Sequence, residues 1–253
     1  NRSRSLQIAL AIALVAVVPG GWAQSLEAVT QTATQPASIR TLDRVRAKGK
    51  LVLGYYTNAQ PMSYRDPSGN AAGYSVTLCQ KIADDVKAQL GLQKLAVEWV
   101  PLTAASGMQN VQQGKIDLLC GSDAASLTNR ANVAFSLPIF PGGISALLRA
   151  DASKALQNVL NERPAPYKPI WRASPFSPIQ HRTLSVVAGT PAVDWAKDRA
   201  SKIASLVATL DTVGSYDAGV KKVLEHDSDV LFGDRAILLD LAKRSATAGK
   251  LRV

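Results

Sequence analysis

Short apolar segments alternate with amphipathic segments along most of this chain, and that alternation restricts the fold more than any other feature. In the first half, continuous apolar runs predict three strands, at residues 51–56 (LVLGYY), 95–102 (LAVEWVPL) and 116–121 (IDLLCG). Between the first two, residues 74–90 carry apolar side chains at helical spacing, and Gly91 supplies a stop signal. The order strand, helix, strand predicts a largely parallel sheet with helices on both faces.

A second set of the same kind fills the C-terminal part of the chain. Its periodicity predicts strands at 184–189, 208–213 and 229–233, and helices at 190–207, 216–226 and 234–245. Residues 151–182 precede this set; they contain five prolines and no sustained period, so we predict an irregular insertion there. The whole pattern predicts an α/β fold with two mostly parallel sheets flanked by helices.

The N-terminus has the organisation of an export signal. Arg2 and Arg4 precede about 13 residues that are almost all apolar, and small residues follow up to Ala23. We predict a signal peptide over residues 1–23 and a mobile leader over 24–40. An uncleaved membrane anchor is the alternative, although a transmembrane helix needs about 20 apolar residues. Export of this kind predicts a periplasmic protein.

The charge of the chain does not indicate a nucleic-acid partner. There are 29 Lys and Arg against 19 Asp and Glu, a net charge of +10, but the basic residues are scattered and aromatic residues make up only 6%. A nucleic-acid site needs clustered basic residues interleaved with aromatic ones. We therefore predict no nucleic-acid binding.

Motifs for cofactor, metal or nucleophile chemistry are missing from the sequence. It contains no G-x-G-x-x-G, P-loop, G-x-S-x-G or metal-binding His/Cys spacing, and its two histidines, His181 and His226, are expected at the surface or in loops. In an oxidising compartment, Cys79 and Cys120 favour a structural disulfide, with two separate buried cysteines as the alternative. We predict a binding protein without cofactor or metal, and not an enzyme.

Several of these segments, taken in order, resemble a known family. They are similar to signatures of the bacterial extracellular (periplasmic) solute-binding proteins of the polar amino-acid ABC-transporter family, family 3. The segments are LVLGYYTNAQPMSYRDPSGNAAGYSVTLCQKIADDV (51–86), GKIDLLCG (114–121), FSLPIF (135–140), VVAGT (186–190) and DVLFGDRAILL (229–239). The resemblance extends over residues 41–253.

The resemblance implies two α/β lobes, at residues 41–143 and 144–253, joined by a hinge and closing on one small ligand. It also implies a monomer that delivers an amino acid or a related amine to an ABC permease in the inner membrane. Members of the family carry cysteines at the two positions found here, where a disulfide would fix the loop GSDAAS (121–126). Chains of the family return to the first lobe after a strand such as LRV, and because this sequence stops at Val253 we expect that return segment to be missing.

The loops after the first and third predicted strands are expected to line the ligand site, because parallel sheets bind ligands at the carboxyl ends of their strands. Through the resemblance, Ser122 and Ala124 occupy the positions of ligand-binding hydroxyl groups. Asn129 occupies the position of the arginine that binds the ligand's carboxylate. Arg130 stands one place later, and either reaches the site or is an exposed arginine at a helix start.

The second lobe is expected to supply the other half of the site. Asp234 matches the family's ammonium-binding carboxylate, and its alternative role as the N-cap of the next helix is compatible with that. Thr190 offers a hydroxyl and a helix N-terminus, while Pro191 removes one N–H donor. Four residues are expected along the mouth of the first lobe: Tyr55, Asn58, Gln60 and Met62.

Two other functions stay open. A dehydratase-like lyase on the same scaffold would need a general acid or base, for which Asp123, Asp234, Glu98 and the histidines are the candidates. A sensory binding protein with a degenerate pocket is suggested by the departures from the family pattern at Ala124, Asn129 and Pro191.

Overall fold

The computed structural model describes residues 41–161, 177–202, 207–244 and 246–253. The predicted signal peptide (1–23) and leader (24–40) lie outside these ranges, as do residues 162–176 of the predicted insertion. Within the described ranges, every helix is too short or too polar to cross a lipid bilayer.

The first part of the described chain follows the predicted alternation of strands and helices. In chain order it consists of α1 (Thr41–Lys48), β1 (Lys50–Tyr56), β2 (Asn58–Ala59), β3 (Ser63–Arg65), β4 (Ala71–Ala72), α2 (Tyr74–Gln89), β5 (Ala96–Leu102), α3 (Ala104–Gln112), β6 (Leu118–Cys120) and α4 (Leu127–Arg130).

The second part contains the elements of the second predicted set and two further strands. In chain order it consists of β7 (Ile144–Arg149), α5 (Lys154–Leu160), a 3-10 turn (Ser177–Ile179), β8 (Thr183–Val187), α6 (Pro191–Lys202), β9 (Thr209–Val213), α7 (Tyr216–Leu224), β10 (Val230–Asp234), α8 (Arg235–Lys243) and β11 (Leu251–Arg252).

Each part is built on one main sheet. The first has the order β5-β1-β6 with all three strands parallel, so that Leu53 of β1 stands between Trp99 and Leu118. The second has the order β11-β7-β10-β8-β9; β8 is parallel to β9 and β10, and β7 is antiparallel to β10 and β11. The predicted α/β class with mostly parallel sheets is confirmed.

The prediction of an irregular segment over 151–182 is wrong for its first third, where residues 154–160 form α5. Ser153 caps this helix by accepting a hydrogen bond from the N–H of Leu156 at 3.3 Å. All five prolines of the segment come later, from Pro164 onwards, so the seven residues KALQNVL contain no helix breaker. The side chain of Leu156 is buried, which ties the helix to the core.

The turn-rich segment after β1 also contains more structure than the sequence predicts. β2, β3 and β4 form a small antiparallel sheet of two- and three-residue strands. Turn-forming residues reverse the chain between them: the side chain of Asp66 accepts a hydrogen bond from the N–H of Asn70 at 2.8 Å. This small sheet holds the loop after β1 beside the start of α2.

Buried side chains form three clusters, and one of them includes residues from both parts of the chain. The first cluster lies around Leu53 and Cys79, and the second around Val186. The third joins the two parts and includes Tyr56, Met62, Leu147, Val187 and Tyr216. The two sheets are therefore held together by shared apolar packing.

The backbone of the two parts comes close at Gly189, in the turn between β8 and α6. A Cβ added at Gly189 would lie 2.3 Å from the Cα of Ala105 and 2.6 Å from the carbonyl carbon of Ala104, the first two residues of α3. Gly189 also has φ +75°, a conformation that side-chain-bearing residues rarely adopt. A glycine is required here on both grounds.

A disulfide joins Cys79 on α2 to Cys120 at the end of β6, as predicted, with the two Cα atoms 6.1 Å apart. Both cysteines are buried in the core of the first part. The bond attaches α2 to the strand that leads directly into the loop 121–126. That loop consequently leaves the sheet from a covalently fixed end.

Removal of this disulfide should lower the stability of the protein measurably. Cross-linking residues 41 positions apart restricts the unfolded chain, and the loop-entropy relation gives about 4 kcal/mol, with measured values for such bonds of about 2–4 kcal/mol. The double variant Cys79→Ser/Cys120→Ser should show that loss in urea unfolding. Wild-type protein with reductant should unfold at a similar urea concentration, and reductant should not affect the variant. An unchanged wild-type midpoint after complete reduction would contradict this expectation.

Candidate functional site

A cavity of about 620 Å³ lies where the two sheets face each other. It is lined by the loops that follow β1, β6 and β8, by the end of β10 and by the segment 133–144 that connects the two parts. These are carboxyl ends of strands, where α/β sheets bind their ligands. Its volume is within the range of small-molecule sites, about 300–1,000 Å³.

A larger groove of about 840 Å³ runs along α5, β7 and the C-terminal residues. It lies on the second part alone, and most of its lining comes from α5, β7 and the residues that flank them. We therefore locate the candidate site in the smaller cavity.

Asp123 follows β6 and is the carboxylate that the first part contributes to this cavity. The hydroxyl of Tyr56 donates to it, at 2.7 Å from Oδ1 and 2.9 Å from Oδ2. Burial raises the pKa of Asp123 to about 6, although the hydrogen bond from Tyr56 lowers it in part. Burial, and then the neighbouring Asp123, raise the pKa of the Tyr56 phenol. Near neutral pH this pair is thus an ionised carboxylate held by a neutral phenol.

Two glycines create the space that the Tyr56 ring occupies. A Cβ at Gly107 on α3 would lie 2.4 Å from the phenolic oxygen, and a Cβ at Gly121 would lie 2.5 Å from the ring edge. Any side chain at these positions would displace the phenol. Because the phenol binds Asp123, the position of that carboxylate depends on both glycines.

Asp234 ends β10 and supplies a carboxylate from the second part. Its Oδ1 accepts a hydrogen bond from the N–H of Ala236 at 2.9 Å and so caps α8. Its Oδ2 points towards Gly142, where an added Cβ would lie 3.5 Å from it. Partial burial raises the pKa of Asp234, and its hydrogen bonds from the helix backbone oppose that shift. The residue therefore caps a helix and also lines the cavity, so the two roles considered from the sequence are compatible.

The Tyr216 phenol lies beside Asp234 and completes the wall of the second part. Its oxygen accepts a hydrogen bond from the N–H of Asp234 at 3.3 Å. The pKa of Tyr216 is raised to about 12, mainly by burial; the hydrogen bond from the N–H of Asp234 lowers it in part, and the charges of Asp234 and Asp123 contribute to the increase. Tyr216 is thus within electrostatic reach of both carboxylates and stays protonated at neutral pH.

Of the eight ligand-binding residues predicted from the sequence, five line the cavity: Asn58, Ser122, Ala124, Thr190 and Asp234. Met62 also lines it, whereas Tyr55 packs in the core of the first part. Tyr55 and Tyr56 are neighbours in a strand and point to opposite faces of the sheet. The sequence prediction selected Tyr55, but the structure brings Tyr56 to the cavity.

The other three predicted residues do not line the cavity. The guanidinium of Arg130 is exposed, and its Nε donates to the carbonyl of Ala125 at 3.1 Å. The side-chain amide of Asn129 donates to the carbonyl of Ala124 at 3.0 Å. Gln60 accepts a hydrogen bond from Arg244 at 3.4 Å. This placement matches the alternative interpretation of Arg130 as an exposed residue of a short helix.

The start of α6 offers fewer donors than a typical helix N-terminus. The N–H and the hydroxyl of Thr190 both donate to the carbonyl of Val187, at 3.2 and 2.7 Å. Pro191 is the first helical residue and has no N–H. The donors that Thr190 was expected to offer to an anion are therefore occupied by hydrogen bonds within the protein.

The remaining acid–base candidates from the sequence lie elsewhere. Glu98 on β5 pairs with Lys50, and the two histidines are exposed, with φ values of 58° (His181) and 68° (His226). None of these three residues lines the cavity. Among the described residues there is no group of three or more His, Cys, Asp or Glu side chains that could hold a metal ion.

Sequence reasoning missed Tyr56, Tyr216 and the aromatic residues of the connecting segment, Phe135 and Phe140, which all line the cavity. An aromatic residue at a strand end or a helix start has the same sequence pattern as a core residue. Asp123 was selected only as a possible catalytic group, although its position in the loop after β6 was a usable signal for ligand contact.

The chain is similar in sequence to amino-acid-binding proteins. It is 32% identical over 114 residues to the glutamate/aspartate import solute-binding protein of Salmonella typhimurium, which is 45% of this chain and 38% of that protein. The L-glutamate/L-aspartate-binding protein of Pseudomonas aeruginosa matches to the same extent, 32% over 114 residues. An amino-acid-binding protein of Dichelobacter nodosus is 25% identical over 194 residues, 76% of this chain and 65% of that protein. The chain thus aligns with well under half of the first two relatives.

Solved structures share its fold. An ancestral amino-acid-binding protein described as a precursor of cyclohexadienyl dehydratase superposes with a TM-score of 0.64 at 21% identity, covering 80% of this chain and 78% of that one. The solute receptor for L-cysteine of Neisseria gonorrhoeae gives 0.63 at 19% identity, with 84% and 76% covered. At these identities the similarity establishes the two-lobed architecture and no more.

The sequence profile of one family matches this chain over residues 51–236, which include the first main sheet from Leu51 onwards, the second main sheet without β11, and the residues around the cavity. That range contains all the segments given for the resemblance except the last three residues of 229–239. The chain belongs to the bacterial extracellular solute-binding proteins, family 3.

Proposed function

We propose that this protein is the periplasmic substrate-binding component of an ABC uptake system, which captures a small amino acid or a related amine between two lobes. The observation that supports it most is the cavity at the strand ends of both sheets, with one carboxylate from each part, in a chain of this family. One relative is named a glutamate/aspartate import solute-binding protein and another an amino-acid-binding protein.

Capture would proceed by closure of two lobes, 41–143 and 144–253, about the connecting segment that enters β7. A ligand that contacts Asp123 on one side and Asp234 on the other interacts with both lobes only when they are closed. Its binding energy therefore favours the closed state over the open one. The packed third cluster and the approach at Gly189 are the contacts that the closed state would gain.

The location and the partner belong to the same proposal. The predicted signal peptide indicates export, and a Rhizobium relative is named a periplasmic protein. Closure would present a surface composed of both lobes to a permease in the inner membrane. We propose that the protein acts there as a monomer.

A lyase on the same scaffold is the second candidate. The raised pKa of Asp123 and the fold shared with a precursor of cyclohexadienyl dehydratase favour it. Against it, an acidic substrate needs a cationic group, and none of the described residues that line the cavity is Lys or Arg. Binding without chemistry is the better supported function. A sensory role would differ from transport in leaving uptake intact when the gene is deleted.

The proposal is tested by ligand-induced thermal stabilisation with a panel of the twenty amino acids and their amines. A ligand that binds only the native state stabilises it by about 2.7 kcal/mol at 100 times its Kd, which moves the melting temperature by several degrees. We expect at least one compound to do so, and none to be consumed on prolonged incubation. A panel in which every compound leaves the melting temperature unchanged would refute the proposal.

Gly189→Ala should weaken ligand binding by opposing closure, because its Cβ would overlap the backbone of Ala104 and Ala105. Gly249→Ala is the matched control: Gly249 has the same φ of +75° but no atom within 4 Å of an added Cβ. Both variants should lose about 1–2 kcal/mol of stability from the left-handed backbone. Only Gly189→Ala should also reduce ligand affinity and increase the radius of gyration in solution scattering with ligand. Equal affinities of the two variants would argue against closure at this contact.

The ionisation of Asp123 should make the stability of the ligand-free protein depend on pH. Its pKa is about 6 in the folded protein and 3.8 in the ordinary unfolded state, so the folded state retains the proton longer. The contribution of this group should fall as pH rises from about 4 to about 6, by up to about 3 kcal/mol, and stay constant above that range. Asp123→Asn removes the titration, so the difference in unfolding free energy between wild type and variant isolates it. If the unfolding free energy of the wild type, relative to that of the variant, increased with pH, the raised pKa assigned to Asp123 would be contradicted.

A further inference from the structure

The charged side chains around the cavity all have the same sign. Among the described residues that line it, Asp117, Asp123 and Asp234 are acidic, and there is no Lys, Arg or His. A site for a free amino acid needs a cationic group for the ligand's carboxylate as well as an anionic group for its ammonium. This cavity provides only the second.

One of the three carboxylates is already compensated. Asp117 forms an ion pair with Arg44 and accepts a hydrogen bond from the N–H of Val52 at 2.8 Å. Asp123 is bound by the neutral Tyr56 phenol, and Asp234 by backbone N–H groups of α8. Within the described chain neither of them forms an ion pair. The cavity therefore holds two carboxylates whose charge a ligand is free to neutralise.

A ligand carboxylate would find few donors in the same space. Arg130, the nearest match in sequence to the expected arginine, donates to the carbonyl of Ala125 and does not line the cavity. The two donors of Thr190 are engaged with Val187, and Pro191 has none. The neutral donors that remain include Ser122, Asn58 and the hydroxyl of Tyr216, and the nearby carboxylates would repel an anion.

Aromatic rings form much of the rest of the wall. Tyr56, Tyr216, Phe135 and Phe140 line the cavity together with apolar side chains such as Met62. Ring faces attract organic cations, and the apolar surface suits a hydrocarbon chain. The lining as a whole is complementary to an ammonium group on an apolar body.

We propose that the ligand of this cavity is a small organic cation without a carboxylate group, such as a primary monoamine or diamine. This inference rests on the proposed function and specifies its ligand class. It separates the chain from the relatives named for glutamate and aspartate, which it resembles over less than half its length. An acidic amino acid would bring two carboxylates into a cavity that already contains uncompensated ones.

The overall charge of the chain does not oppose this assignment. The net charge is +10, but within the described residues no basic side chain lines the cavity. Exposed charges are screened over about 8 Å at physiological ionic strength. The carboxylates at the site consequently determine the local potential that a bound ligand experiences.

The test is calorimetric titration of the full chain with matched pairs that differ only in the α-carboxylate: cadaverine with lysine, putrescine with ornithine, agmatine with arginine, and phenethylamine with phenylalanine. We expect at least one amine to bind, with an affinity at least tenfold higher than that of its parent amino acid. If the amino acids bind as tightly as the amines or more tightly, the inference is overturned and the proposed function stands. If no member of any pair binds, the inference is overturned, and the thermal panel of the twenty amino acids decides the proposed function separately.

Variants then connect the preference to the two carboxylates. Asp123→Asn and Asp234→Asn should each reduce the affinity for the amine at least tenfold. Asn is as good an N-cap as Asp, so α8 keeps its start in the second variant. Asp198→Asn, an exposed carboxylate that pairs with Lys202, is the control and should leave the affinity unchanged. An amine affinity that persists in both cavity variants would overturn the inference.

Discussion

The backbone contact between Gly189 and the first turn of α3 is the constraint on which the rest of the site depends. Asp123 and Asp234 belong to different parts of the chain and line one cavity, and the two parts come close beside it, where a Cβ on Gly189 would lie 2.3 Å from the Cα of Ala105. The contact is made by backbone atoms, so it cannot relax by a change of rotamer. The shared apolar cluster stabilises the arrangement, but the glycine determines how close it is.

The fold and the chemistry of the cavity carry different information. The same two-lobed architecture occurs in proteins described as binding arginine or L-cysteine. A fold that accepts such different ligands does not determine which of them this chain binds. The proposed ligand class rests on the side chains of the cavity, whose charged members among the described residues are all acidic and whose others are aromatic, apolar or neutral polar.

Periodicity and strand order predicted most of the fold, because apolar spacing reports directly on burial. The strand-end rule located the loops of the site, and the family resemblance selected Ser122, Thr190 and Asp234, which all line the cavity. It failed for Asn129 and Arg130, since their side chains bind carbonyl groups of their own loop and turn away from the cavity. Such hydrogen bonds to nearby carbonyl groups depend on the conformation of the loop, which residue spacing does not reveal. The helix α5 was missed because the prolines that follow it dominated the composition of the segment.

The space that Gly107 and Gly121 leave for the Tyr56 ring affects how ligand preference can change. Gly107 does not line the cavity, yet its missing side chain leaves the space for the phenol that orients Asp123. Ligand selectivity therefore depends partly on a residue without a side chain that lies outside the cavity. A family member with alanine at this position could contain every ligand-contacting residue of this chain and still recognise a different molecule.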